Sequence, residues 1–332
     1  MKLRNIYKFM FATALVTSFV ACSDDEDATS ERIEKSVVTA DLTSFNLNEG
    51  QDATITLTID KPLNKRSDFK LELVGGTGSF RDFTSTGTET ILDDGWGIIG
   101  HKLSFPAFAT EASFDITPIF DLLPEGTETL VFRLYPMGNS NGLVAPASET
   151  ITVTVNNGTS DDVVTVVDWS ESSYDTFGSL VDGSYLGADG DEHALCDYDF
   201  DLEIYDENFD YYATSYSSCP EQASVLGADA DGTYFIVPSF WTTAGPSAPA
   251  EDFGFNVKVT IAKPGVWTSE SVITSWNTED GGAVEGNPDA YLLAGILTKT
   301  GTTYVLEDED GNILASGRQA SVLNRIPRKV SK

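Results

Sequence analysis

The chain has 332 residues, 41% of them hydrophobic, and 52 acidic against 20 basic side chains give it a formal net charge of −32. That excess repels a phosphate backbone and anionic headgroups alike, which excludes nucleic acid as a partner. Three cysteines without a CxxC pair and two histidines argue against a transition-metal cluster, while plentiful carboxylates suit hard cations such as Ca²⁺.

Lys2, Arg4 and Lys8 precede an apolar run from Phe9 to Val20. Its length of about twelve residues falls short of the roughly twenty needed to cross a bilayer, so residues 1–21 read as a cleaved export signal. Phe19-Val20-Ala21-Cys22 resembles the lipobox of bacterial lipoproteins, although Phe19 stands where Leu is usual. The resemblance implies a signal peptide cut before Cys22 and acylation of that cysteine. Ser23, Asp24, Asp25, Glu26 and Asp27 then look like the surface-export signal of Bacteroidota-type lipoproteins, which implies a lipid anchor in the outer leaflet of the outer membrane. The alternative is a solvated acidic linker on a periplasm-facing lipoprotein. Residues 22–35 lack apolar periodicity and read as an acidic tether.

From residue 36 to 157 the pattern changes to short alternating runs broken by Gly, Asn, Asp and Pro: 53–59, 69–73, 112–119, 129–134 and 150–155. Period-two alternation predicts an antiparallel β-sandwich, with Ile55, Leu57 and Ile59 facing the core and the intervening threonines facing solvent. Phe45-Asn-Leu-Asn-Glu-Gly50, Gly78-Ser-Phe-Arg-Asp-Phe83, Leu103-Ser-Phe-Pro106 and Phe120-Asp-Leu-Leu-Pro-Glu-Gly-Thr-Glu-Thr129 resemble the Calx-β domain, an immunoglobulin-like sandwich. Some members of that family bind Ca²⁺ at one end. The resemblance implies Ca²⁺ as cofactor here, with Glu49, Asp82, Asp121, Glu125 and Glu128 as candidate ligands. Two departures lower the site's charge: Asp121 stands alone where an acidic pair is expected, and Asn156-Asn157 replaces an acidic run. A purely structural sandwich is the alternative.

A polar break at 156–162 precedes a new strand at 163–167, so residues 163–332 read as a second β-rich domain. Along 196–206, Tyr198, Phe200, Leu202 and Ile204 are expected to face inward, and Asp197, Asp199, Asp201 and Glu203 outward. Two readings stay open for that acidic face: a cation held by Asp197, Asp199 and Asp201 with help from loop acids, or a solvated edge strand. Asp199–Asp206, Asp231–Val237 and Phe253–Ile261 are similar to the bacterial pre-peptidase C-terminal domain over about 190–263, a further sandwich without catalytic residues of its own. Residues about 288–317 are expected to form a C-terminal hairpin, and Trp241, Trp267, Trp276, Tyr211, Tyr212 and Tyr216 supply aromatics that either stack on a glycan from the surface or, as is commoner, pack in the core. Cys196 and Cys219 remain once Cys22 is acylated, and outside the reducing cytosol they are expected to pair. His101 and His193 lie in separate regions and read as solvated or capping side chains. From Arg318 to Lys332 the chain is basic, without an acid.

These features point to a non-enzymatic surface lipoprotein for adhesion or binding of an extracellular protein or glycan. The alternatives are a glycan-capture component of a nutrient importer and a hydrolase built on converging carboxylates. External protease applied to intact cells is expected to cut the protein together with a known surface marker. Cutting of the marker alone would refute surface exposure.

Overall fold

The computed structural model describes residues 34–91, 95–138, 140–175 and 179–317. The export signal, Cys22, the acids at 24–27 and the basic C-terminal residues lie outside this set. No helix among the described residues is long and apolar enough to cross a membrane.

Alternating apolar residues cannot bury one face without a second layer, so the chain folds as all-β tandem sandwiches. The first half contributes β1 (Ser36–Ala40), β2 (Ser44–Asn48), β3 (Ala53–Ile59), β4 (Ser67–Gly76), β5 (Phe83–Ser85), β6 (Thr88–Glu89), β7 (His101–Phe105), β8 (Glu111–Pro118), β9 (Glu128–Pro136), β10 (Gly142–Val144) and β11 (Thr150–Asn156). One sheet runs β10-β1-β3-β8-β5 and the other β2-β11-β9-β4-β7-β6. All pairings are antiparallel except β1 with β10 and β2 with β11, which are parallel. Ile55, Leu57 and Ile59 face Phe69, Phe114, Phe132 and Ile151 in one buried core, with the threonines of β3 on the other face.

The second half contributes β12 (Val163–Asp168), β13 (Ser173–Tyr174), β14 (Leu180–Val181), β15 (Ser184–Leu186), β16 (Glu192–Ala194), β17 (Asp199–Tyr205), β18 (Tyr211–Ser215), β19 (Glu221–Val225), β20 (Gly232–Thr242), β21 (Val257–Lys263), β22 (Trp267–Ile273), β23 (Gly295–Thr300), β24 (Thr303–Glu307) and β25 (Ile313–Gly317). A four-stranded sheet, β19-β12-β21-β22, packs on a six-stranded one, β18-β17-β20-β23-β24-β25. Their core is aromatic: Phe200 stacks on Phe240 at 4.6 Å and meets Trp169, Phe255 and Trp276. Cys196 and Cys219 form a disulfide across 23 residues of sequence. Closing a loop of that size contributes roughly 3 kcal/mol in the chain-entropy model.

The structure corrects several expectations. Asp201 and Glu203 do point away from the core, yet they are 5% and 6% exposed, not solvated. Tyr205 and Tyr216, just after β18, bond Glu203, and Tyr291 from the segment before β23 stands near both acids, a cover that the alternation of one strand cannot reveal. Asp197 lies in a 3-10 turn before the strand and not on it. Trp267 and Trp276, by contrast, follow the commoner of the two readings of such aromatics and are core residues, 2% and 1% exposed. The last hairpin begins at Gly295, because residues 290–294 run alongside β20 as an irregular segment, with Ser239 opposite Tyr291 and hydrogen bonds from Phe240 N–H to Ala290 O, Leu292 N–H to Pro238 O and Ala294 N–H to Ile236 O.

Phe132 is wholly buried in the first core. Its replacement by Ala is expected to cost about 3–5 kcal/mol, read as a lower urea midpoint at unchanged slope.

Candidate metal centre

Four segments of the first sandwich converge at one end. Glu49 sits in the turn from β2 to β3, where its N–H donates to Asn156 O at 3.1 Å and that of Gly50 to Pro118 O at 2.8 Å. Gly50 adopts a φ of +73°, which only a residue without Cβ takes at little cost, and this sets where Glu49 points. Asp82, between β4 and β5, accepts from Ser79 N–H at 2.5 Å and Ser79 Oγ at 2.7 Å. Its carbonyl receives Ile119 N–H at 2.8 Å, which brings the loop after β8 alongside. Asp121 accepts from Leu123 N–H at 2.7 Å, bending that loop toward Glu125, and Glu128 opens β9. Gly78 stands behind two of these acids: a Cβ there would lie 3.3 Å from an oxygen of Asp82 and of Glu128.

Asn157 and Gly158 close the arrangement. Asn157 Oδ1 accepts from the N–H groups of Glu125 and Gly126 at 3.0 and 3.2 Å, and Gly158 N–H donates to Glu49 Oε2 at 2.9 Å. The position expected to be acidic thus carries an amide that braces the loop instead of adding charge.

Carboxylate oxygens of Glu49, Asp121 and Glu125 lie within 4.8 Å of one another, a separation a cation could bridge. Asp82 and Glu128 are close enough to act on them electrostatically. Burial first, then the charges of Asp121, Glu128, Asp82 and Glu49, pushes Glu125 up to about 7. Burial also raises Glu49, Asp121 and Glu128, with neighbouring carboxylates adding to it. None of the described ion pairs gives any of these five acids a basic partner. An all-oxygen donor set with uncompensated charge fits a hard divalent cation and not a soft one.

Asp197, Asp199 and Asp201 form no such convergent group among the described residues. His101 is buried beside Phe80 and so is not solvated; its Nδ1 lies 3.4 Å from the Gly87 carbonyl in the turn between β5 and β6, while Nε2 has no partner. His193 Nε2 lies 3.0 Å from Asp189 and the ring stacks on Tyr185. Among the described residues neither histidine hydrogen-bonds a hydroxyl or thiol.

No protein-family model matches the chain, and no curated protein does. Among solved structures it is similar to the apo form of the Calx CBD1 domain at 20% identity, covering 37% of this chain and 97% of that one with a TM-score of 0.28. CBD12 from CALX1.2 aligns at 14% identity over 72% and 82% of the two chains, with a TM-score of 0.29. CaCohA2 from Clostridium acetobutylicum aligns at 12% over 37% and 94%, with a TM-score of 0.25. Likeness at this level carries no argument about activity, and the cluster rests on its own geometry.

A carboxyl group raised on folding binds its proton in the native state where the unfolded chain has released it. Stability is then lost as pH rises, for Glu125 between its ordinary 4.5 and about 7. The melting temperature in chelator is expected to fall from pH 5 to pH 8, and Glu125→Gln to flatten that slope; an unchanged slope would show that Glu125 does not carry it.

Proposed function

We propose that the chain is a non-enzymatic binding protein, held at the cell surface by a lipid on Cys22, whose first sandwich takes Ca²⁺ at its loop end. The observation that carries the metal reading is the convergence of Glu49, Asp121 and Glu125 within 4.8 Å, with two further acids beside them. Ca²⁺ takes six to eight oxygens, and carboxylates with backbone carbonyls and water supply such a set. Bound there, the ion would supply positive charge where none of the described ion pairs places any. The residues' own contribution is to gather loops from β2–β3, β4–β5 and β8–β9 around one point, so that loading stiffens the rim of the sandwich. The surface reading is supported by the residues around Cys22, and the binding reading by the acidic cluster at the loop end.

Chelated protein is expected to melt at a higher temperature as CaCl₂ is added, because a ligand bound only to the folded state stabilises it by about 2.7 kcal/mol at a hundredfold excess over Kd. Glu49→Gln with Asp121→Asn should abolish the rise without unfolding the apo protein, since both changes remove repulsion. The absence of a shift in the parent at millimolar Ca²⁺ would overturn the metal reading.

A further inference from the structure

The outer face of the six-stranded sheet in the second half carries a second unbalanced set of charges, built differently. Along β17, Asp201 pairs with Ser239 of β20, and Ser239 bridges to Tyr291. Two residues on, Glu203 lies between Thr214 and Val237, and Tyr205 lies between Tyr211 and Phe235. Side chains at these alternate positions share one face. Glu203 accepts from the hydroxyls of Tyr205 at 2.5 Å and Tyr216 at 3.2 Å. Around these acids stand rings open to solvent: Tyr211 is 65% exposed, Tyr216 48%, Tyr291 44%, and Trp241, next on the same face of β20, 38%.

Two polar groups at the floor lack partners. Ser239 Oγ is buried with no hydrogen bond, in a residue 1% exposed. The Asp201 carboxylate accepts none from any described residue, and the charged groups acting on it are all acids: Asp199, Glu221 and Glu203. Buried lysines of this half are engaged elsewhere, Lys263 with Asp161 and Lys299 with Asp231.

The balance of donors and acceptors selects the ligand. A sugar hydroxyl needs both; the carboxylates offer acceptance alone, the Tyr205 and Tyr216 hydroxyls already donate to Glu203, and the Ser239 hydroxyl can donate as well as accept, so acceptors outnumber free donors at the floor. Ammonium and guanidinium groups donate three and five hydrogen bonds and accept none, and aromatic faces attract the same charge. A single metal ion fits less well, because carboxylates repeating along one strand lie about 6.6 Å apart and do not converge. That same repeat matches alternate side chains of an extended peptide.

We propose that this face binds an extended basic polypeptide segment with Lys or Arg at alternate positions, Asp201 and Glu203 receiving the cationic groups past the rings of Tyr216 and Tyr291. This rests on the non-enzymatic binding reading and names the partner's chemistry. The Ser239 hydroxyl and the Asp201 carboxylate gain partners on binding.

The test is fluorescence anisotropy of the full mature chain with a labelled peptide alternating Lys and Ser, at 20 and 150 mM salt. The expected result is binding that Asp201→Asn with Glu203→Gln weakens at least tenfold and Tyr291→Ala severalfold. A peptide of the same charge with its lysines in one block should bind less well, and one with Gln for Lys not at all. Should the double variant misfold, the exposed Tyr291 substitution decides. Absence of binding at 20 mM salt, equal binding of the blocked peptide, or indifference to both variants would overturn the proposal, the last by revealing mere attraction to an acidic chain. Displacement of the peptide by a neutral oligosaccharide would assign the face to glycan and overturn it as well. Asp121→Asn should leave peptide affinity unchanged, so failure here is separate from failure of the metal reading. Cleaved peptide in the mass spectrum would instead refute the non-enzymatic reading.

Discussion

The two-residue repeat of the strand governs this molecule. In β3 it sends Ile55, Leu57 and Ile59 into one core and Thr54, Thr56 and Thr58 away from it, and a slip of one residue would invert the set. With apolar residues committed to the inner faces, the acidic surplus is left two kinds of place: the loops at the ends of the sandwich, and the outer faces of the strands. The chain uses both, and the chemistry of each cluster follows from where the backbone puts it.

At the loop end of the first sandwich, carboxylates arrive from separate segments and can point at a common centre. Glu49, Asp121 and Glu125 do so, held by Gly50, by the Asn157 amide and by the Gly158 N–H. On β17 the acids are fixed at strand spacing and point the same way, so they line up without meeting. Convergence suits a single multivalent ion, and a row suits a ligand with its own repeat. Both clusters hold like charge at a cost to the folded state, since burial and neighbouring acids raise Glu125 and Asp201 alike to about 7.

Much of this was legible in the sequence, for a physical reason. Strands such as 53–59 and 150–155 declare themselves because each half-buries and must alternate, and the loop acids of the first sandwich follow motifs anchored on Gly50 and Gly126. What could not be read was the surroundings of β17. Its outward acids look solvated when the strand is considered alone, but Tyr216 and Tyr291 reach over them from segments 13 residues or more away in the chain. Ser239 gave no sign at all, since a serine in a strand becomes notable only when its cross-strand neighbours leave it without a partner.

The contrast between the two acidic sets also bears on why the fold tolerates them. In the first sandwich the strained charges lie on loops, where local rearrangement is cheap and loading by an ion can change the order of the rim. On β17 the carboxylates are anchored in the centre of a ladder, between β18 and β20. Relief there cannot come from backbone movement without breaking that ladder, and with no described residue donating to Asp201 it comes from a proton or from something that arrives. A rigid, acceptor-rich floor beside exposed rings is therefore prepared for a partner in a way that a loop cluster is not, because the cost of arranging the acids has been met by folding the strand.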